Sequence, residues 1–108
     1  MFEIKWYILD ENHTPRVADV IEAGIWMEKK DNIIVKKTQV DKNILVSTVF
    51  ISLDHSFEIN KKHIPILFET MIFGGEYDQY QERYETWDQA LEGHEECIQM
   101  IFKVENND

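Results

Sequence analysis

The sequence has little of what marks secreted, disulfide-bonded or membrane-spanning proteins. It contains one cysteine, Cys97, so no disulfide can form within the chain, and we expect a reducing compartment. No apolar run approaches the roughly 18–20 residues that span a bilayer. The first residues show neither a basic region nor a small-residue cleavage site. We therefore expect a cytoplasmic protein with no secretory signal and no membrane partner.

Basic residues are scarce in the last third of the chain. The formal net charge is −10 over 108 residues. Residues 1–68 hold ten carboxylates against nine lysines and arginines, whereas residues 69–108 hold eleven carboxylates against only Arg83 and Lys103. A negative field repels phosphate backbones and attracts basic surfaces. We expect a basic protein surface as partner and no direct nucleic-acid binding; the alternative is that the acidity only maintains solubility.

The pattern of apolar residues predicts one α+β domain over residues 1–104, with a frayed tail at 105–108. Strands are expected near residues 2–8, 33–40, 44–54, 65–73 and 79–85. Helical spacing predicts one helix from Pro15 to about Lys29 and a second from Thr86. The order β-α-β-β-β-β-α predicts an antiparallel sheet of about four to five strands with two helices packed on it. The run at 44–54 is apolar on both faces, which is typical of a strand that is covered on two sides or lies centrally in its sheet.

The last helix has the strongest periodic pattern in the chain. Thr86 and Gln89 have the spacing of a capping box. One face of the helix is apolar at helical spacing, and its members are Trp87, Ala90, Leu91, His94, Cys97, Ile98, Ile101 and Phe102. The opposite face is polar and mostly acidic, with Asp88, Glu92, Glu95, Glu96 and Gln99.

Four residues are candidates for catalysis, and each has a simpler structural explanation. Asp54 and His55 close the central strand, where a base and its orienting carboxylate are often placed, but a turn would use them equally well. Glu69 falls on an otherwise apolar strand face, where a carboxylate must be paired; it is either a catalytic acid or the partner of Arg83. His94 is either a core histidine or the member that joins the other three in one site.

The sequence gives no reason to expect a cofactor or a metal ion. The four histidines show no i, i+4 ligand spacing. Gly74-Gly75 lacks a following helix N-terminus, so we interpret it as a turn and not as a phosphate-binding loop. The apolar neighbours of Cys97 indicate an unreactive thiol.

Aromatic and acidic residues alternate just before and within the last helix. Aromatic anchors in a polar rim are typical of binding surfaces, although edge-strand packing would use the same residues. The predicted binding residues are Tyr77, Tyr80, Tyr84, Asp88, Glu92, Glu95 and Glu96.

Several sequence blocks resemble a group of small, functionally uncharacterised proteins of bacteriophages and prophage-bearing bacteria. The resemblance covers roughly residues 44–96, about half the chain, and it is carried by Val46-Ser47-Thr48-Val49-Phe50, Leu53-Asp54-His55, Leu67-Phe68-Glu69-Thr70-Met71, Phe73-Gly74-Gly75, Glu82-Arg83-Tyr84, Thr86-Trp87 and Gly93-His94-Glu95. It implies a phage or prophage origin and action in a bacterial cytoplasm. It carries no activity, cofactor or site residue over to this chain.

Three functions are compatible with these observations. The first is a protein-interaction module of the host-takeover or anti-defence type that uses the acidic and aromatic C-terminal surface. The second is a small enzyme or metal-binding protein built on Asp54, His55, Glu69 and His94. The third is a virion or assembly protein, for which a homo-oligomer would be expected. Of these, the first is the function we predict.

Overall fold

The computed structural model describes residues 5–54 and 64–105, with side chains up to residue 103. The predicted α+β class is confirmed, with antiparallel sheets and helices packed on them. The predicted strand residues before Lys5 and the loop at 55–63 lie outside the described residues. The elements follow in the order β1 (Trp6–Leu9), β2 (Pro15–Ala18), α1 (Val20–Glu28), α2 (Lys30–Ile33), β3 (Ile34–Asp41), β4 (Ile44–Phe50), β5 (Phe68–Phe73), β6 (Gln81–Tyr84) and α3 (Trp87–Glu105).

The main sheet has four antiparallel strands in the order β3-β4-β5-β6, and α3 packs against all four. Side chains alternate between the two faces of a strand, so the pairing Thr48↔Thr70 places both threonines on one face. This face is covered by α3. The core between sheet and helix consists of Ile44, Val46, Ile72, Cys97, Ile98 and Ile101 at one end, and of Tyr7, Leu9, Phe50, Leu67, Phe68 and Ala90 at the other.

The opposite face of the main sheet is only partly covered. Met71 and Val49 are half-buried there, and Phe73 is exposed. Among the described residues, no helix packs on this face. The apolar run at 44–54 therefore belongs to a strand that lies centrally in its sheet, which is one of the two predicted alternatives.

The N-terminal part is a hairpin of β1 and β2 with α1 beside it. The prediction that a helix begins at Pro15 is wrong, because Pro15 opens β2 and pairs with Leu9. A proline at the first position of a strand is tolerated since its missing N–H is not needed there. The helix begins at Val20 instead, and the Asp19 side chain accepts a hydrogen bond from the Glu22 N–H as its N-cap.

Backbone and aromatic contacts join this hairpin to the main sheet. The Tyr7 N–H donates to the Ser52 carbonyl at 2.8 Å. The ring of His13 stacks on Trp87 with centroids 3.8 Å apart, and Trp26 meets Phe50 edge-on. The predicted strand at 44–54 is shorter than expected, because β4 ends at Phe50 and the chain then bends toward β1.

The helix α2 is a single turn that the sequence did not separate from α1. Gly74 and Gly75 make the predicted turn, with φ of 92° and 73°, values that L-residues with a side chain rarely adopt. None of the helices in the described residues is long and apolar enough to span a membrane.

Candidate protein-binding surface

The surface of α3 that faces away from the sheet carries a row of carboxylates. We call Asp88, Glu92, Glu95 and Glu96 the acidic face; all four are exposed. The helix starts with the predicted capping box, since the Gln89 N–H donates to the Thr86 hydroxyl and the Thr86 N–H donates to the Gln89 side chain. This cap fixes the register of α3, so its apolar stripe turns to the sheet and its carboxylates turn outward.

One member of the acidic face is neutralised by a lysine from the first half of the chain. The Nζ atom of Lys36 on β3 lies 2.8 Å from a carboxylate oxygen of Glu95. The hydrogen bond and charge of Lys36 lower the pKa of Glu95. Both side chains are about half exposed, so this pair is solvent-screened and contributes little to stability.

The other three carboxylates have no cationic partner within the described part of the chain. Asp88, Glu92 and Glu96 follow one another at spacings of four residues, which places neighbours on the same side of a helix. Like charges at this spacing repel each other. The acidic face is therefore a row of three unneutralised charges with a neutralised one at its side.

A crevice of about 230 Å³ lies between β6 and α3, next to the acidic face. Its lining is Tyr80, Glu82, Tyr84, Gly93, Glu96, Cys97 and Met100. Tyr80 is exposed, and its hydroxyl donates to Glu82 at 3.0 Å. The crevice thus combines two carboxylates, an aromatic ring and a methionine side chain. The predicted binding residues do not include Glu82 or Met100, although Glu82 belongs to the alternating aromatic and acidic segment and Met100 follows Glu96 by one helical turn.

The three predicted tyrosines have different surroundings. Tyr77 is half-buried and packs on the cluster around Ile44 and Val46, so it is part of the core margin. Tyr84 is also half-buried, and burial raises its pKa to about 12. Its buried hydroxyl makes no hydrogen bond of ordinary geometry to the described residues; the nearby Thr70 hydroxyl bonds to Thr48 instead. Only Tyr80 is available to a partner.

A second, shallower groove of about 600 Å³ runs along the acidic face itself. Its lining is Glu92, Glu95, Glu96, Gln99, Met100 and Lys103. Glu96 and Met100 belong to both the groove and the crevice. The two depressions are therefore adjacent parts of one surface.

His94 lies in the core with no exposed surface. Its Nε2 is 2.8 Å from the Thr38 hydroxyl, and its Nδ1 is 2.7 Å from the Thr48 hydroxyl. Thr48 in turn lies 2.5 Å from the hydroxyl of Thr70. Burial, and to a lesser degree the charge of Lys36, lower the pKa of His94. Burial thus favours the neutral ring, and both ring nitrogens have hydroxyl partners, as in a satisfied core histidine.

Glu69 lies on the other face of the sheet from His94, because its neighbour Thr70 faces α3. The Arg83 Nε atom donates to the Glu69 carboxylate at 3.0 Å, and the Gln81 amide donates to the same oxygen. The predicted Glu69–Arg83 ion pair is confirmed. This pairing uses the carboxylate for strand-to-strand contact.

Of the two remaining enzyme candidates, only Asp54 lies in the described part of the chain, and its known contacts are with β1 and the start of the 66–73 segment and not with His94. The Asp54 carboxylate accepts a hydrogen bond from the Ile66 N–H at 2.9 Å, and its charge acts on Tyr7 of β1. His55 lies outside the described residues. Within residues 5–54 and 64–105 no group of three metal-binding side chains comes together. The structure thus separates His94 from Glu69, which an acid–base site would need side by side.

Comparisons of this chain with protein-family models, with curated proteins and with solved structures found no match. Function must therefore be argued from the surface and core of this molecule.

Proposed function

We propose that this protein is a binding module that engages a basic surface of another protein through the acidic face of α3 and the adjoining crevice. In agreement with the sequence resemblance, we propose that it originates from a phage or prophage and acts in the bacterial cytoplasm, on a host or phage protein. The observation that carries the proposal is the row of Asp88, Glu92 and Glu96, exposed and without cationic partners among the described residues.

This row is unfavourable for the isolated helix. Like charges four residues apart destabilise a helix by about 0.2–0.5 kcal/mol per pair. A basic partner would turn this repulsion into attraction across the interface. The concentration of negative charge in residues 69–108 would also raise the rate of encounter with such a partner.

The crevice suits the side chain of a lysine or arginine from the partner. Glu82 and Glu96 supply carboxylates for charge-assisted hydrogen bonds. The exposed ring of Tyr80 can contact a cation, and Met100 can contact the aliphatic part of the same side chain. Basic surfaces that bind nucleic acid present such side chains, so the module would compete with nucleic acid for its partner.

Neutralising the row tests the proposal. The variant Asp88→Asn/Glu92→Gln/Glu96→Gln should lose capture of the partner from lysates of phage-carrying bacteria, as identified by mass spectrometry. Capture by the unchanged protein should weaken steeply with added salt. Folding should be preserved, because these side chains are exposed and make no hydrogen bonds or ion pairs in the described part of the chain.

A matched control removes the same amount of charge elsewhere. Glu11, Glu28 and Asp31 are exposed and lie in the N-terminal half. The variant Glu11→Gln/Glu28→Gln/Asp31→Asn should keep the partner. Equal loss of capture by both variants would mean that net charge, and not the acidic face, is responsible, and the proposal would fail.

A further inference from the structure

The helix α1 exposes large aliphatic side chains to solvent. Val20, Ile21 and Ile25 are 59%, 73% and 62% exposed, and Val17 of the preceding strand is 56% exposed. We call these four residues the α1 stripe. Single exposed aliphatic residues are common, whereas contiguous apolar surface usually marks an interaction site. The stripe borders a groove of about 800 Å³ whose wall includes Ile8, Leu9 and Trp26.

Contacts within the chain fix the orientation of α1. The stripe is therefore exposed because of how the helix packs. Ala23 is fully buried against Ile8 and Ala18 of the hairpin. Asp19 caps the first turn, and Arg16 of β2 forms an ion pair with Glu22 at 2.7 Å. These contacts turn Ala23 inward, where Trp26 and Met27 also pack, and leave Ile21 and Ile25 outward.

Gly24 supports the same conclusion from the backbone. It lies in the middle of α1, where glycine weakens a helix relative to alanine. A Cβ atom added at this position would meet nothing within 4 Å, so no contact in the chain requires the glycine. A second helix that crosses α1 closely at this point would require it.

We propose that α1 packs against α1 of a second copy of this chain, antiparallel and with the crossing point at Gly24. A twofold axis through Gly24 would bring the Ile21 and Ile25 side chains of the two copies together. Such an isologous contact uses the same patch on both subunits.

The charges at the ends of α1 are self-complementary in this arrangement. Asp19 lies at the N-terminal end and Lys29 just after the C-terminal end, and both border the groove. Within the described part of the chain, neither has a partner of opposite charge. In an antiparallel pair, Asp19 of each copy lies near Lys29 of the other. A partner of uniform charge would match only one of these ends, which is why we infer a second copy.

The dimer should be weak and reversible. A helix of nine residues is only about 14 Å long. Stable interfaces bury about 800 Å² per partner, which is about a tenth of the 7752 Å² surface of this chain. The stripe consists of only four side chains, so we expect a smaller contact and a dissociation constant in the micromolar range.

Sedimentation velocity over protein concentrations from about 1 µM to 1 mM tests the proposal. The unchanged protein should shift from monomer to dimer across this range. Ile21→Asp should raise the dissociation constant at least tenfold, and since Ile21 is mostly exposed, the melting temperature at low concentration should stay the same. Phe102→Asp, at an exposed aromatic on α3, is the matched control and should dimerise normally.

Gly24→Ala provides a test in which a folding defect cannot imitate the result. The substitution should strengthen α1 in the monomer and raise its melting temperature in dilute solution, yet weaken dimerisation at least tenfold. A protein that stays monomeric to 1 mM, or a dimer that tolerates Ile21→Asp, would overturn the proposal. The triple variant of the acidic face should dimerise normally, so this test is independent of the proposed function.

Discussion

The helices α1 and α3 differ in what they expose to solvent. On α3 the buried residues include Ile98, Ile101 and His94, and the outward residues are mostly charged. On α1 Ala23 is buried, but the outward residues include Ile21 and Ile25. The large aliphatic residues of α3 are thus mostly buried within the chain, whereas those of α1 are mostly exposed.

This difference divides the surface into two regions with different chemistry. Next to α3 the surface is acidic and suits a basic partner. Next to α1 it is aliphatic and suits another apolar surface. If both proposals hold, one small domain has two separate sites, and substitutions in one should not affect the other.

The largest expected difference between the two regions is in how much a truncated side chain lowers the free energy of unfolding. Phe68 of β5 has no exposed surface and contacts the rings of Phe50 and Trp87. Phe68→Ala should lower the free energy of unfolding by about 3–5 kcal/mol. Ile25→Ala should change it by less than about 0.5 kcal/mol, because Ile25 is mostly exposed.

Urea unfolding at a protein concentration well below the proposed dissociation constant measures both values. Phe73→Ala is a control on the same strand, since Phe73 is 45% exposed and should tolerate the change better than Phe68. A loss at Ile25 as large as that at Phe68 would show that α1 already uses its stripe within the monomer.

The better predicted of the two helices was the one whose sequence pattern agrees with its packing. The α3 stripe correctly named Ala90, His94 and Ile98 as buried. Its last member, Phe102, is 40% exposed, because α3 extends past the end of the core. The start of α1 was predicted five residues too early, since Val17 fits both helical spacing and the alternation of β2. Only the pairing with β1 decides between them, and pairing is a long-range property.

The glycines of the two helices should respond in opposite directions to alanine. A Cβ atom added to Gly93 of α3 would overlap the hydroxyl and the ring of Tyr84. Gly93→Ala should therefore cost about 3 kcal/mol through overpacking. Gly24→Ala should stabilise the dilute protein by up to about 1 kcal/mol.

Thermal unfolding of both variants gives the comparison. The double variant Gly93→Ala/Tyr84→Leu should recover part of the loss, because the smaller side chain vacates the space. If Gly93→Ala alone left stability unchanged, Tyr84 would have to be free to move. The packing between β6 and α3 would then be looser than the close contact of Gly93 with Tyr84 indicates.

The candidate sites were predictable to different degrees. The Glu69–Arg83 pair could be predicted because basic residues are scarce after Glu69, where only Arg83 and Lys103 occur. The threonine partners of His94 did not follow, because Thr38, Thr48 and Thr70 become neighbours only through the registers of three strands. The exposed stripe on α1 was hidden by the expectation that apolar residues point inward.

His94 should make the free energy of unfolding depend on pH below the ordinary histidine pKa of 6.5. The pKa of His94 is lowered from the ordinary 6.5, so the unfolded chain binds a proton more readily than the native protein. Stability due to this group is therefore complete above about pH 6.5 and is lost as the pH falls toward the native pKa. His94→Leu should remove this dependence. It should also cost about 2 kcal/mol at pH 7.5, because the Thr38 and Thr48 hydroxyls lose a partner.

Urea unfolding at pH 7.5, 6.5 and 5.5 measures the difference between the two proteins. The difference in the free energy of unfolding between the unchanged protein and His94→Leu should become smaller as the pH falls. A difference that does not change with pH would mean that His94 has the same pKa in the native and unfolded states, so that burial of the ring does not favour its neutral form.

The smallest effect should come from the ion pair on the uncovered face of the main sheet. Arg83 is 43% exposed and Glu69 is 16% exposed. Arg83→Met keeps most of the aliphatic stem and removes the charge, and we expect a loss of at most about 1 kcal/mol. A fully buried pair would lose about 3–5 kcal/mol on removal of one partner. Partial exposure lowers this cost, and the Gln81 amide still binds the carboxylate.

Added salt at about 0.5 M should shrink the difference in unfolding free energy between Arg83→Met and the unchanged protein, if solvent reaches the ion pair. A salt-independent loss above about 3 kcal/mol would show instead that this face is covered as completely as the α3 face.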